Sequence, residues 1–195
     1  MTSEAPEPLP DWVRPPPHGF AAEDLDRLPG LPMHAELIDG SLVFFAPQTA
    51  IHSCAVSLFQ SALDRAVPKD LLVVSRMTVI LDEDQRPEPD VMVIRASGWK
   101  GWDQTYFRTR DVVLAIEIVS RDTRSRDRKR KPLLYAEAGI PHFWRAETET
   151  GELIVHVYDL DPITEAYALT SVRQSRLKLA IPFDVDIDLT EIHRL

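Results

Sequence analysis

A single cysteine, Cys54, occurs in 195 residues, which excludes an internal disulfide and any thiolate-rich zinc or iron–sulfur site. A bound metal would have to be held by oxygen or imidazole. No apolar run approaches the ~20 residues that a membrane-spanning helix needs. The opening stretch, MTSEAPEPLPDWVRPPP, lacks both the basic start and the hydrophobic core of a secretory signal, so a cytoplasmic protein with no membrane partner is expected. Net positive charge is also missing. With 22 Lys+Arg against 31 Asp+Glu the formal charge is −9, the wrong sign for a protein that coats nucleic acid through its overall field. What basic charge there is lies concentrated: RDTRSRDRKRK at 121–131 carries +5 and leaves −14 on the rest.

The 44% hydrophobic and 27% charged content is ordinary for a globular chain, and the length suits one well-buried core. Residues 1–19 contain six prolines and few apolar side chains, which predicts a proline-rich disordered tail ahead of one domain over 20–195. AAEDLDRL reads as a short helix. HAELIDGSLVFFA alternates about Asp39-Gly40, a dipeptide suited to a tight hairpin turn. Between Thr49 and Val67, Ile51, Ala55, Leu58, Phe59, Ala62 and Leu63 form a helical stripe that Pro68 closes. LLVVSRMTVIL (71–81) and VMVIRA (91–96) read as two strands joined by DEDQRPEP. VVLAIEIVS (112–120) predicts a strand buried on both faces, followed by a helix over about 123–138 that Gly139 and Pro141 end. HFWRAE, ELIVHVYDL and EAYALTSV supply later strands, with His142, Phe143 and Trp144 read as core and sheet edge.

Glu117 is the one charge in an otherwise apolar strand, where an unpaired carboxylate would cost several kcal/mol. It is either salt-bridged for structure or bound to a cation. Asp90 follows Pro89 at the start of the preceding strand, a position that could equally be turn chemistry. If the two strands are neighbours, both acids converge on a hard divalent cation, for which magnesium or manganese is the better fit. Hydrolysis of a phosphodiester needs an activated water, a Lewis acid and a cation to offset growing charge. In the PD-(D/E)xK pattern that cation is a lysine two residues after the second acid, but here the position is Val119. Lys131 offers a substitute on the next helix, on one face with Asp127 and Tyr135, or else is one more solvated lysine.

These residues resemble the Uma-two family of restriction-endonuclease-like proteins, also known as a domain of unknown function, within the PD-(D/E)xK superfamily. The resemblance runs over roughly residues 20–185, through HAELIDGSLV, PDVMVI and EIVSRDTRSRDRKRKPLLYAEAGIPHFW. It implies an α/β restriction-endonuclease-like core, a mixed central β-sheet flanked by helices with extra strands toward the C-terminus. It further implies Asp90, Glu117 and Lys131 as the active-site triplet and Glu36 as an additional acid. Family members usually carry a tyrosine or similar residue near the position of His34, and Pro132 after the lysine is a second departure.

The expected activity is that of a metal-dependent endodeoxyribonuclease. Asp90 and Glu117 would hold Mg2+ or Mn2+ together with the carbonyl of Ile118, and Lys131 would orient the water or stabilise the pentacovalent phosphate. Arg121, Arg124, Arg128 and Lys129 would contact DNA phosphates, the alternative being a solvated surface. His52, with no partner histidine at ligand spacing, is expected to pack or hydrogen-bond. By analogy the protein would work as a homodimer. Two other readings remain open: a non-catalytic nucleic-acid- or protein-binding module of the same fold, and a hydrolase for a small phosphorylated substrate.

Overall fold

The structure, a computed structural model, describes residues 10–149 and 151–194. Of the expected tail, 1–9 lie outside the described residues; of the remainder, Asp11–Val13 form a 3-10 turn and 14–18 are exposed.

Six strands make the central sheet: β3 (Leu71–Ser75), β5 (Val91–Arg95), β7 (Val112–Val119), β8 (His142–Glu149), β9 (Glu152–Asp161) and β10 (Ala166–Arg173). Their spatial order is β10-β9-β8-β7-β5-β3, with β7 and β8 parallel and every other neighbour antiparallel. The parallel step needs a crossover, and the helical segment between Arg124 and Glu137 supplies it.

β7 lies inside the sheet and is buried along its whole length, as its apolar run predicts. Its side chains divide between two cores. Ile116 and Ile118 pack with Val91, Val93 and Trp144 beneath α1 (Ala50–Ala66), which contributes Ala55, Leu58, Phe59, Ala62 and Leu63. Ala115 faces the other way, with Met92, Phe143 and Tyr135 of α2 (Lys131–Glu137). Alternation therefore sends Glu117 to the α2 face. The α1 stripe matches its predicted face, Thr49 caps it by accepting from the His52 N–H, and the helix stops before Pro68.

The hairpin also forms where expected, as β1 (Ala35–Ile38) and β2 (Ser41–Phe44), with Asp39 and Gly40 at φ 51° and 67°, the left-handed pair of a type I′ turn. Leu37 exchanges backbone hydrogen bonds with Arg86, tying β1 to the 82–90 loop. Buried Arg86 bonds both carboxylate oxygens of Asp26, at 2.7 and 2.9 Å, and the Ala22 carbonyl, so the N-terminal 3-10 turn (Ala22–Asp26) clamps the same loop.

Three expectations are corrected. The run 71–81 is not one strand: Arg76 adopts φ 53°, and Thr78–Ile80 (β4) leaves the central sheet to pair in parallel with β6 (Tyr106–Arg108). The helix over 123–138 is not regular α-helix, because Arg126–Arg130 wind as a π-helix, a geometry frequent at functional sites. His142–Trp144 begin β8, an interior strand and not a sheet edge; Phe143 and Trp144 are core, while His142 is half-buried and pairs with Asp159. A further hairpin, β11 (Arg176–Leu179) with β12 (Val185–Asp188), supplies extra strands of the kind expected toward the C-terminus; Leu177, Val185 and Ile187 join the α1 core.

Candidate active site

The C-terminal end of β7, the start of β5, the β1 hairpin and the π-turn meet around a cleft of about 350 Å³. Asp90 and Glu117 stand opposite one another because Val91 pairs with Ile116. The Asp90 carboxylate reaches across: its Oδ2 accepts the Ile118 N–H at 2.8 Å, and its Oδ1 lies 3.2 Å from His52 Nε2. His52, buried, is thus the close neighbour of the Asp90 carboxylate.

Lys131 is fully buried and ringed by acids. Its Nζ lies 2.6 Å from Glu36 Oε1, 3.0 Å from Glu117 Oε2 and 3.6 Å from Asp127 Oδ1. An ammonium has three hydrogens, and here three carboxylates face it. The Tyr135 hydroxyl donates to Glu117 Oε1 at 2.5 Å. The helical face shared by Asp127, Lys131 and Tyr135 thus does look back at the acids, and Glu36 joins them.

The electrostatics follow from burial. Burial pushes Glu117 well above the ordinary glutamate value, with Asp127, Asp90 and Glu36 adding to the effect and Lys131 opposing it. Both Glu117 oxygens nevertheless accept hydrogen bonds, from Lys131 and Tyr135, an arrangement suited to the ionised form. Asp127 is pushed up to about 6, by burial against the pull of Lys131. Burial alone would lower Lys131, but Glu117, Glu36 and Asp127 hold it well above the usual lysine range. Four carboxylates against one ammonium leave an excess of negative charge at the cleft floor.

The donor set is oxygen with imidazole, the hard set that magnesium and manganese prefer. Two buried oxygens, Glu36 Oε2 and Asp127 Oδ1, have no hydrogen-bond partner. Among the described residues no three His, Cys, Asp or Glu side chains form a ready metal cage. Magnesium does not require one, since it commonly takes one or two carboxylates and keeps several waters. The residues present therefore fit a hard divalent cation.

Glu88 of the cleft had no signal in the sequence, and His34 stood out there only as a departure from the family's usual residue. Glu88, in the loop read as a polar turn, donates its N–H to Glu36 Oε1 at 2.8 Å and pairs through its own carboxylate with His34 Nδ1 at 2.7 Å. Burial raises Glu88, and His34 opposes the rise.

The basic run divides. Arg121, Arg124 and Lys129 are exposed. Arg128 pairs with Glu147 of β8, and Arg130 with Asp39 of the hairpin.

The family profile named Uma2, described as "putative restriction endonuclease", matches residues 22–190. A crystal structure described as "a putative nuclease belonging to DUF820", from Anabaena variabilis ATCC 29413, superposes with a TM-score of 0.69. It shares 16% identity, over 90% of this chain and 98% of that one, a likeness of fold. No curated protein matches the chain.

Proposed function

The chain belongs to the Uma2 family, and from that membership and the buried lysine–carboxylate cluster we propose that it is a metal-dependent endonuclease that hydrolyses DNA phosphodiester bonds. The observation that carries the reading is the Lys131 ammonium, 3.0 Å from Glu117 on the floor of a cleft that Asp90 also lines. Asp90 and Glu117, with the Ile118 carbonyl, would hold Mg2+ or Mn2+. The ion's chemistry is Lewis-acid polarisation of the scissile phosphate and a lowered pKa for bound water.

The chain's own side chains do the rest. Lys131 offsets the negative charge that grows on the phosphate and orients the attacking water. Glu36, Asp127 and Tyr135 hold Lys131 and Glu117 in place. Arg121, Arg124, Arg128 and Lys129 neutralise phosphates on either side of the cut. A homodimer would bring two such sites to the two strands of a duplex. No helix among the described residues is long and apolar enough to cross a membrane; the cytoplasm is the proposed location.

Plasmid nicking with and without magnesium tests the reading on the protein and on its Asp90→Ala and Lys131→Met variants. Cleavage by the unaltered protein alone, and only with metal, is the expected result; equal activity in all three would sink it.

One observation favours a second reading. The Lys131 ammonium is already ringed by carboxylates, at 2.6, 3.0 and 3.6 Å, as in a purely structural cluster, which suits a non-catalytic module that binds nucleic acid or protein. Calorimetric titration with manganese separates the two: a working site binds the ion and loses it on Glu117→Gln, whereas a structural cluster takes up none.

A further inference from the structure

Cleaving a phosphodiester releases a sugar oxygen that must gain a proton, and most cleft side chains cannot give one. His52 is 5% exposed at its side chain, with Nε2 turned to Asp90 Oδ1 at 3.2 Å. Lys131 is 1% exposed and has three carboxylates to satisfy. Asp127 is raised to about 6, yet its side chain is 1% exposed.

His34 differs in each respect. Its side chain is 38% exposed, it lines the cleft, and Nδ1 sits 2.7 Å from Glu88 Oε1. With Nδ1 turned to the Glu88 carboxyl, Nε2 is the nitrogen left facing the cleft for proton exchange, and an ionised Glu88, which can only accept, would keep the hydrogen on Nδ1. Nε2 has no partner among the described residues. The backbone adds a second observation. His34 stands at φ 63°, a left-handed conformation that a non-glycine residue adopts only under strain, at the entry to β1. The strain is held by a fixed frame: Glu36, two residues on, accepts from the Glu88 N–H, so the imidazole and its carboxylate are anchored to each other at both ends.

We infer that His34, oriented by Glu88, is the general acid of the proposed cleavage. The inference rests on the nuclease reading. The water oxygen forms its bond to phosphorus as the bond from phosphorus to the sugar oxygen breaks. The departing oxygen takes the proton from His34 Nε2, the water's own surplus proton passes to solvent, and Nε2 is reprotonated from solvent. Glu88 is a positioning residue: it fixes the ring and the tautomer without touching the substrate.

The test varies the leaving group. Supercoiled plasmid releases a sugar oxygen that needs a proton, whereas bis(4-nitrophenyl) phosphate releases a stabilised phenolate that does not. His34→Asn keeps a residue that tolerates the left-handed backbone, and circular dichroism with urea unfolding checks that it folds. Its kcat/KM should fall by at least ~100-fold on plasmid, the usual share of general acid catalysis, and by about tenfold or less on the activated diester. Glu88→Gln should show the same split at smaller size. Equal losses of His34→Asn on the two substrates, or no loss on either, would overturn the role of His34 while leaving the nuclease reading standing, provided that Asp90→Ala abolishes both activities. If the unaltered protein turns over neither substrate with magnesium or manganese, both proposals fall together.

Discussion

Replacing Lys131 with methionine keeps the length of the stem and removes the charge that three buried carboxylates face. Glu36, Glu117 and Asp127 then remain at the core with at most 2% side-chain exposure each and no compensating cation. Breaking a buried ion pair from one side costs about 3–5 kcal/mol, because the remaining charge stays desolvated. The penalty depends on pH in a defined direction. Glu117 and Asp127 have folded-state values above their ordinary ones, Asp127 at about 6, and loss of Lys131 removes the influence that lowers both. The folded variant therefore binds protons more tightly than its unfolded chain, and stability is lost as pH rises through the folded values. Destabilisation should reach about 3–5 kcal/mol at pH 8 and fall to less than half of that near pH 5, where the acids are neutralised. At the level of melting temperature the pH 8 figure corresponds to roughly 10–15 °C for a chain of this size. Urea unfolding followed by the fluorescence of Trp144, which is fully buried, reads both conditions. Adding Glu117→Gln to Lys131→Met should recover part of the loss at pH 8. A cost below ~1 kcal/mol at pH 8, or one equal at the two pH values, would refute the account of a lysine held by charge.

Asp127→Asn should behave oppositely: with the carboxyl raised from 3.8 to about 6, its ionisation costs the fold about 3 kcal/mol above pH 6 and nothing below pH 4. The variant should thus match the parent at pH 4 and exceed it in urea resistance at pH 8; lower stability at pH 8 would show that the ion pair outweighs burial. Tyr135→Phe removes a hydrogen bond to a charged acceptor and should cost about 1.5–3 kcal/mol in thermal unfolding, and a neutral result would mean that Glu117 does not need the hydroxyl. Removing Arg124 and Lys129 together should flatten the plot of log binding constant for duplex DNA against log salt by about two, one for each phosphate deprived of its cation; an unchanged slope would make them ordinary solvated charges.

Much of the fold was legible because local and tertiary signals agree. Asp39-Gly40 marks the hairpin, the α1 stripe predicts its buried face, and the apolar run 112–119 predicts an interior strand. The break at Arg76 was not legible, since seven of the eleven residues of LLVVSRMTVIL are Leu, Val or Ile and nothing local announces a positive φ at an arginine. What bends the chain there is tertiary: the Arg76 N–H bonds the Asp90 carbonyl at 3.2 Å, and the Val79 N–H bonds the Pro87 carbonyl at 2.9 Å, so the 87–90 loop redirects the strand. The same loop hid part of the site. DEDQRPEP has turn composition, and only its docking on β1 reveals that Glu88 and Glu36 share a hydrogen bond. Glu117, by contrast, stood out because its strand offered no other polar side chain.

The absence of lysine at position 119 has a geometric consequence. Residues 117 and 119 point to the same face of β7, so a lysine there would reach Glu117 from along the strand. Lys131 arrives instead from the helix above, on a π-turn that places Asp127 and Lys131 on the buried side. Supplying the cation from a helix brings along that helix's neighbours: Asp127 precedes it by four residues and Tyr135 follows it by four, adding a third carboxylate against the ammonium and a hydroxyl on Glu117. It also lets the connection divide by face, with Thr123 and Asp127 lining the cleft while Arg121, Arg124 and Lys129 stand exposed near its acidic floor. The arrangement accumulates negative charge faster than one ammonium offsets it. A divalent cation, the ion that the proposed function assigns to Asp90 and Glu117, is the simplest chemical remedy for that imbalance.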